Sequence, residues 1–274
     1  MILVAGGDSF IYGAELTDQR NGKHSLSTYP ALLAKQSGID YVCAAWSGNA
    51  NNAISRMTMN ACQLHKDKEM FVIITWTFTQ RFEFRFNYNT KQAVSPWYSI
   101  NSWTIEDDAN ILAYFTNPDR NIANAQLKNI DNAKQTGIAN FAKVFYQHVG
   151  DSEYYEFYSS LKEIVFMQNY LKINNIPYLF VPADNTFYQH DNYFRSKDEF
   201  IDDLYNQIDW DSWFFFPSGN NANETLGPRG FYQWAIENKY KVGTTHPLED
   251  AHKDAAKLIK EKFNELVTKY NQQN

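Results

Sequence analysis

Cysteine is nearly absent from this chain: Cys43 and Cys62 are the only two in 274 residues. That is too few for a disulfide framework. The pair is read as reduced, mostly buried thiols, one in a strand-like and one in a helix-like stretch. No apolar run is long enough to span a bilayer, so no membrane partner is expected. Positive charge is in deficit, with 25 Lys and Arg against 31 Asp and Glu, a net charge of -6. A nucleic-acid or anionic-membrane surface needs clustered basic residues, so neither partner is expected. Met1 leads directly into "ILVA", with no basic leader, apolar h-region or cleavage site. A cytoplasmic or viral setting is the expectation.

Cofactor chemistry is equally sparse. His24, His65, His148 and His190 are scattered without ligand spacing, so no metal is expected. "GGDSF" lacks the G-x-G-x-x-G spacing of a dinucleotide fingerprint, and no other cofactor is indicated. The chain has no internal repeat and no low-complexity tract. Nothing in it sets an oligomeric state.

What is present is an α/β rhythm. At 44 % apolar residues the chain can build a sizeable core, as one large domain or one domain with an insertion. Residues 2–5 read as a buried parallel strand. "TYPALLAKQSG" reads as a helix with Pro30 in its first turn and Gly38 beyond its end. "YVCAAW" is a second strand, and "NNAISRMTMNACQLH" a helix with Asn51 or Asn52 as N-cap. "MFVIITWT" is the third strand.

The rhythm breaks over about 82–150, an aromatic- and Asn-rich insertion expected to be partly helical toward "IANFAKVFYQHV". Its position after strand three makes it a candidate lid over the strand ends. Trp97, Tyr98 and Trp103 within it could stack on sugar rings or pack as core. A helix at 153–173, a strand in "NNIPYLFVPA" and a last helix near 248–270 complete the pattern. The last helix carries a stripe of Ala251, Ala255, Ile259, Phe263, Leu266 and Tyr270. This order predicts a parallel sheet covered by helices on both faces, with any site at the carboxyl ends of the strands.

Ser9 stands at such an end, in "VAGGDSFIYG". A serine hydroxyl reacts only with a base in hydrogen-bond reach and donors for the oxyanion. Asp8-Ser9 could equally cap a turn. Near the other end, "GTTHPLEDAHKDAAKLI" puts His246 in a loop, with Pro247 at or near the first position of the last helix. His252 is a second candidate base, with Glu249 three residues before it. It falls within the helix and is expected to pack along its side.

"GGDSFIYGAEL", Gly48 in "WSGNANNAI" and "HP" before the last helix, in this order, resemble the SGNH/GDSL hydrolase family. "TWTFTQRFEF" resembles a Trp-Thr…Arg-x-Glu arrangement of some phage-type members. The resemblance spans the chain apart from the insertion. It implies a flavodoxin-like three-layer α/β/α fold and ester hydrolysis through an acyl-enzyme. Ser9 would be the nucleophile and His246 the base. The backbone N–H groups of Ser9 and Gly48 would serve as oxyanion donors.

Two positions depart from the family pattern. Thr75 and Thr77 stand where Gly and Asn would fall after the third strand, leaving Thr77, or Asn49 or Asn51 beside Gly48, as the third oxyanion donor. Gly243 stands where an Asp would precede the His by three residues. A Ser-His dyad is then implied, or an acid from elsewhere. A backbone carbonyl, Glu249 or Asp250 would have to orient the His246 ring. Asp8, and an Arg81–Glu83 pair in "TWTFTQRFEF", are further possible supports.

The function implied is a serine esterase acting on an acyl, perhaps acetyl, ester of a carbohydrate or other small substrate. The alternative is a catalytically weak module of the same fold that binds a glycan or a protein partner.

Overall fold

The computed structural model describes residues 1–20, 22–86, 97–101, 104–105, 137–188, 191–218 and 228–273. The chain divides into two compact units, one of residues 1–79 with 157–274 and one of residues 80–156.

The first unit is built on a parallel sheet of β1 (Ile2–Gly6), β2 (Asp40–Cys43), β3 (Met70–Trp76) and β6 (Tyr178–Pro182), in the order β2-β1-β3-β6. This is the order expected of a flavodoxin-like sheet. Beyond β6, among the described residues, Phe180 makes one parallel bridge to Trp213 in the "WDSWFFF" stretch.

The sheet's period of two sorts its side chains into two cores. Ile2, Val4, Val72, Ile74 and Phe180 point to one face. Leu3, Ala5, Phe71, Ile73, Leu179 and Val181 point to the other. The first face is covered by α3 (Asn51–Leu64) and α5 (Glu153–Ile173), through residues such as Ile54, Cys62, Leu161 and Ile164. The second is covered by α2 (Tyr29–Ser37) and, after the short helices α6 (Asp191–Arg195), α7 (Glu199–Tyr205) and α8 (Phe231–Glu237), by α9 (Glu249–Gln273), through Leu33, Ala251, Ala255, Ile259 and Phe263. Burying both faces is what a parallel sheet requires, and the result is three layers, α/β/α.

Three local expectations need correction. The residue before α3 is Ala50, with no side-chain cap, and Asn51 opens the helix instead. Its amide is drawn to buried partners on other elements, described below. Helix α9 begins at Glu249, two residues beyond Pro247. Pro247 instead forms an antiparallel bridge with Val242, closing the loop that carries His246. Strand β2 ends at Cys43, because "AAW" leaves the ladder to form the turn leading to Gly48.

The second unit holds an antiparallel pair, β4 (Phe82–Arg85) with β5 (Trp97–Ile100), helix α4 (Ile138–Phe145) and a π-helical turn over Tyr146–Gly150. Its core is aromatic: Phe82, Ile100, Ile138 and Ala142 are buried, with Phe84, Tyr98 and Phe145 packed on them. Tyr98 therefore packs as core, whereas Trp97 is exposed. Trp103 lies outside the described residues. Arg81 and Glu83 belong to this unit, Glu83 on β4 opposite Ser99.

Candidate active site

The order of the sheet reverses between β1 and β3, and the crevice at such a reversal is the usual site of a doubly wound sheet. The chain enters it from Gly6, the last residue of β1, and Gly7. Asp8 then caps a single helical turn, α1 (Ser9–Tyr12), its Oδ1 accepting from the Phe10 N–H at 3.0 Å. Asp8 is wholly buried and its Oδ2 accepts from the Thr77 hydroxyl at 2.5 Å. Thr77 follows β3 and is itself gripped by Asn51. The Asn51 amide accepts from the Thr77 N–H at 2.9 Å and donates to the Thr77 carbonyl at 3.2 Å and the Ser160 hydroxyl at 3.0 Å. One polar chain thus ties α5, α3 and the end of β3 to the turn bearing Ser9.

Gly13 closes α1 in the left-handed region, at φ 78°, and donates to the Ser9 carbonyl at 2.9 Å. A side chain there would collide with Ser25, at 2.3 Å. Two residues later Glu15 also has a positive φ, 68°. A non-glycine residue pays for this conformation, so its side chain must be held by strong contacts. Thr17 secures the segment by donating its N–H to Glu249 at 2.7 Å, at the start of α9.

His246 sits on a closed loop. The Gly243 N–H donates to the His246 carbonyl at 2.9 Å, and the Leu248 N–H to the Lys241 carbonyl at 3.0 Å. The imidazole packs edge-on against Phe10, with ring centroids 5.1 Å apart. Its Nε2 lies 2.7 Å from Ser9 Oγ, and its Nδ1 lies 2.8 Å from Glu15 Oε1. The other Glu15 oxygen accepts from the Thr244 N–H at 2.6 Å, and the Thr245 hydroxyl donates to Oε1 at 3.2 Å. Burial pushes the Glu15 carboxyl up. The bond from His246, its charge, and the Thr244 and Thr245 donors outweigh that and hold it below the usual glutamate range. An ionised carboxylate only accepts, so a neutral His246 carries its proton on Nδ1 and turns the Nε2 lone pair to the Ser9 hydroxyl.

The structure therefore brings Ser9 and His246 together, and Asp8 lies beside them. Glu249 and Asp250 do not orient the ring: Glu249 braces Thr17, and Asp250 is an exposed partner of Lys253 at 2.9 Å. The carboxylate on Nδ1 is Glu15, with the Thr245 hydroxyl also 2.9 Å from that nitrogen, and no motif in the sequence points to it. The signal available was Gly243 itself, a residue with no side chain where a carboxylate was wanted.

His252 is buried and accepts from the Tyr29 N–H at 3.2 Å, on the helix side as expected. The Thr77 hydroxyl is committed to Asp8. The Asn49 amide donates to the Gly7 carbonyl at 3.0 Å and approaches Met57 Sδ at 3.4 Å. By contrast, no acceptor among the described residues takes the backbone N–H of Ser9 or of Gly48. Gly48 adopts a φ of 81° with open space where a side chain would be. Among the described residues no group of His, Cys, Asp and Glu could hold a metal.

No family model matches the chain, and no curated protein matches it. Solved structures similar to it include a protein described as lipolytic and of the G-D-S-L family from Desulfitobacterium hafniense DCB-2. The match has 12 % identity and a TM-score of 0.41, over 95 % of this chain and 98 % of that one. A second is a psychrotrophic esterase from Pseudoalteromonas sp., inhibited by monoethylphosphonate, with 11 % identity and a TM-score of 0.43, over 99 % and 98 %. A third is a carbohydrate esterase whose active site displays divergent catalytic and non-catalytic binding functions. There the values are 12 % and 0.42, over 96 % of this chain and 67 % of that one. Among the described residues no helix is long and apolar enough to cross a membrane.

Proposed function

We propose that this protein is a serine ester hydrolase, with Ser9 as nucleophile and His246 as general base and acid. One observation carries the reading: Ser9 Oγ and His246 Nε2, 237 positions apart in sequence, meet at 2.7 Å at the carboxyl end of β1. Hydrogen-bond contact between hydroxyl and imidazole is the geometry that activates a serine.

In this reading Ser9 Oγ bonds to the acyl carbon of an ester while its proton passes to His246 Nε2. The oxyanion that develops is met by the Ser9 and Gly48 N–H groups, neither of which has an acceptor among the described residues. Collapse breaks the bond to the alcohol oxygen, which leaves with the proton from Nε2. Water then attacks the acyl-Ser9 ester, giving a proton to Nε2. That proton returns to Ser9 Oγ as the carboxylic acid departs. No cofactor enters this balance. The substrate class proposed is an acyl ester of a carbohydrate or other small molecule, acetyl esters included.

The test is labelling by an alkyl fluorophosphonate together with p-nitrophenyl acetate turnover. The wild type labels at Ser9 and turns over the ester. Ser9→Ala does neither while keeping its circular dichroism. Labelling that survives Ser9→Ala overturns the proposal.

A further inference from the structure

Position 243 has no side chain, yet the space a side chain would fill is not empty. A Cβ built on Gly243 lies 1.8 Å from Glu15 Oε2, deep inside van der Waals contact. Glu15 reaches this point from the loop after α1, from a backbone conformation a side chain disfavours. There it receives three consecutive residues of the other loop: the Thr244 N–H, the Thr245 hydroxyl and His246 Nδ1. Both partners are largely buried, with side-chain exposures of 9 % for Glu15 and 15 % for His246, so water does little to screen the pair.

We infer that Glu15 is the acid partner of His246, occupying the volume a carboxylate at position 243 would use, with Gly243 as the residue that admits it. The inference rests on the Ser9–His246 reading above. Glu15 touches neither substrate nor the reacting oxygen. It is a positioning residue, which fixes the Nδ1–H tautomer and balances the imidazolium formed as Ser9 gives up its proton. Position 243 and position 15 are then alternative origins for one carboxylate. A chain carrying acids at both would have them collide, and a chain carrying neither would leave the Thr244 N–H without its acceptor and His246 Nδ1 with the Thr245 hydroxyl, 2.9 Å away, in place of a carboxylate.

The test is a double-mutant cycle between Glu15→Ala and Gly243→Asp in the full chain. It is read by the rate of fluorophosphonate labelling, the unfolding midpoint, and the imidazole nitrogen signals of His246. Glu15→Ala slows labelling by about 10³–10⁴-fold, the usual effect of losing the acid behind a catalytic histidine. Gly243→Asp alone lowers the unfolding midpoint, since its Cβ falls on Oε2. The double variant labels at least about tenfold faster than Glu15→Ala and regains midpoint relative to Gly243→Asp, a coupling that independent sites do not show. The Nδ1–H signature is present in the wild type, lost in Glu15→Ala and restored in the double variant.

Labelling of Glu15→Ala within about threefold of wild type, or effects that simply add in the cycle, would overturn the inference. A wild type that fails to label at all defeats the hydrolase reading alone. The nitrogen signals and midpoints then still decide the role of Glu15.

Discussion

The peptide N–H of Tyr29, at the start of α2, donates to Nδ1 of His252 on α9, 3.2 Å away. The acceptor must be unprotonated, and the ring lies among Phe231, at 4.7 Å between centroids, and Tyr29, at 6.0 Å. Burial, helped by the nearby His246, pushes its pKa from 6.5 down to about 3, with Glu249 and Asp18 opposing weakly. A depressed folded-state pKa means the unfolded chain binds the proton first. Stability is therefore full above about pH 6.5 and falls as pH drops toward 3, by at most about 1.4 kcal/mol per pH unit. Burial shifts His24 the same way, against Asp18, so the comparison must isolate one ring. Urea unfolding between pH 7 and 5 should show a steeper loss in wild type than in His252→Gln. Equal slopes would mean that His252 is not held neutral.

The two histidines of the last segment should separate cleanly. His246→Ala removes the base 2.7 Å from Ser9 Oγ and should lower ester turnover by about 10³-fold or more, with little change in unfolding midpoint. His252→Ala removes a buried ring and the acceptor for Tyr29, so it should cost stability while folded enzyme keeps its turnover. Turnover lost in His252→Ala and kept in His246→Ala would reverse the assignment.

Asn51 bonds to both sides of the Thr77 peptide unit's residue, and Thr77 in turn holds Asp8 next to Ser9. Asn51→Ala strips a buried N–H and a buried carbonyl of this partner, at about 1–3 kcal/mol for each group left unsatisfied. Ser160→Ala touches one member of the chain and should cost about 1 kcal/mol. Denaturant titration of the two variants gives the comparison. An Asn51→Ala protein as stable as wild type would show the network to be ornamental.

The thiols should be poor nucleophiles in the folded protein. Burial pushes Cys62 up to about 11, and Cys43, half-buried in β2, is raised for the same reason. Thiolate is the reactive form, so an aromatic disulfide reagent at pH 8 should titrate both cysteines rapidly only after denaturation. Rapid reaction of Cys62 in native protein would contradict its buried position.

The layered fold was legible because its causes are local. Alternation along "ILVA" and "MFVIITW" assigns side chains to the two faces without reference to any partner. Gly38 and Pro30 punctuate α2 by their own backbone chemistry. Ser9 and His246 could be singled out because each sits in a short motif at an element boundary. The antiparallel pair β4–β5 and the bridge between Phe180 and Trp213 were not legible, since strand pairing depends on a neighbour that the segment does not encode.

Asn51 shows the same limit at a single residue. By propensity it is a helix cap, but Thr77, just after β3, and Ser160, on α5, offer its amide better satisfied bonds in the interior. The acid beside His246 was the furthest out of reach. Gly243 reads in sequence as a missing carboxylate, and Glu15 as one loop acid among many. Only when the loop after α1 turns at Gly13, and the loop of His246 closes on itself, do positions 231 apart share one volume. The sequence by itself determined which residues could react and which faces were buried, because those follow from periodicity and residue chemistry. Which carboxylate meets the imidazole was decided by tertiary structure alone, because a hydrogen bond depends on distance in space and two side chains cannot occupy the same place.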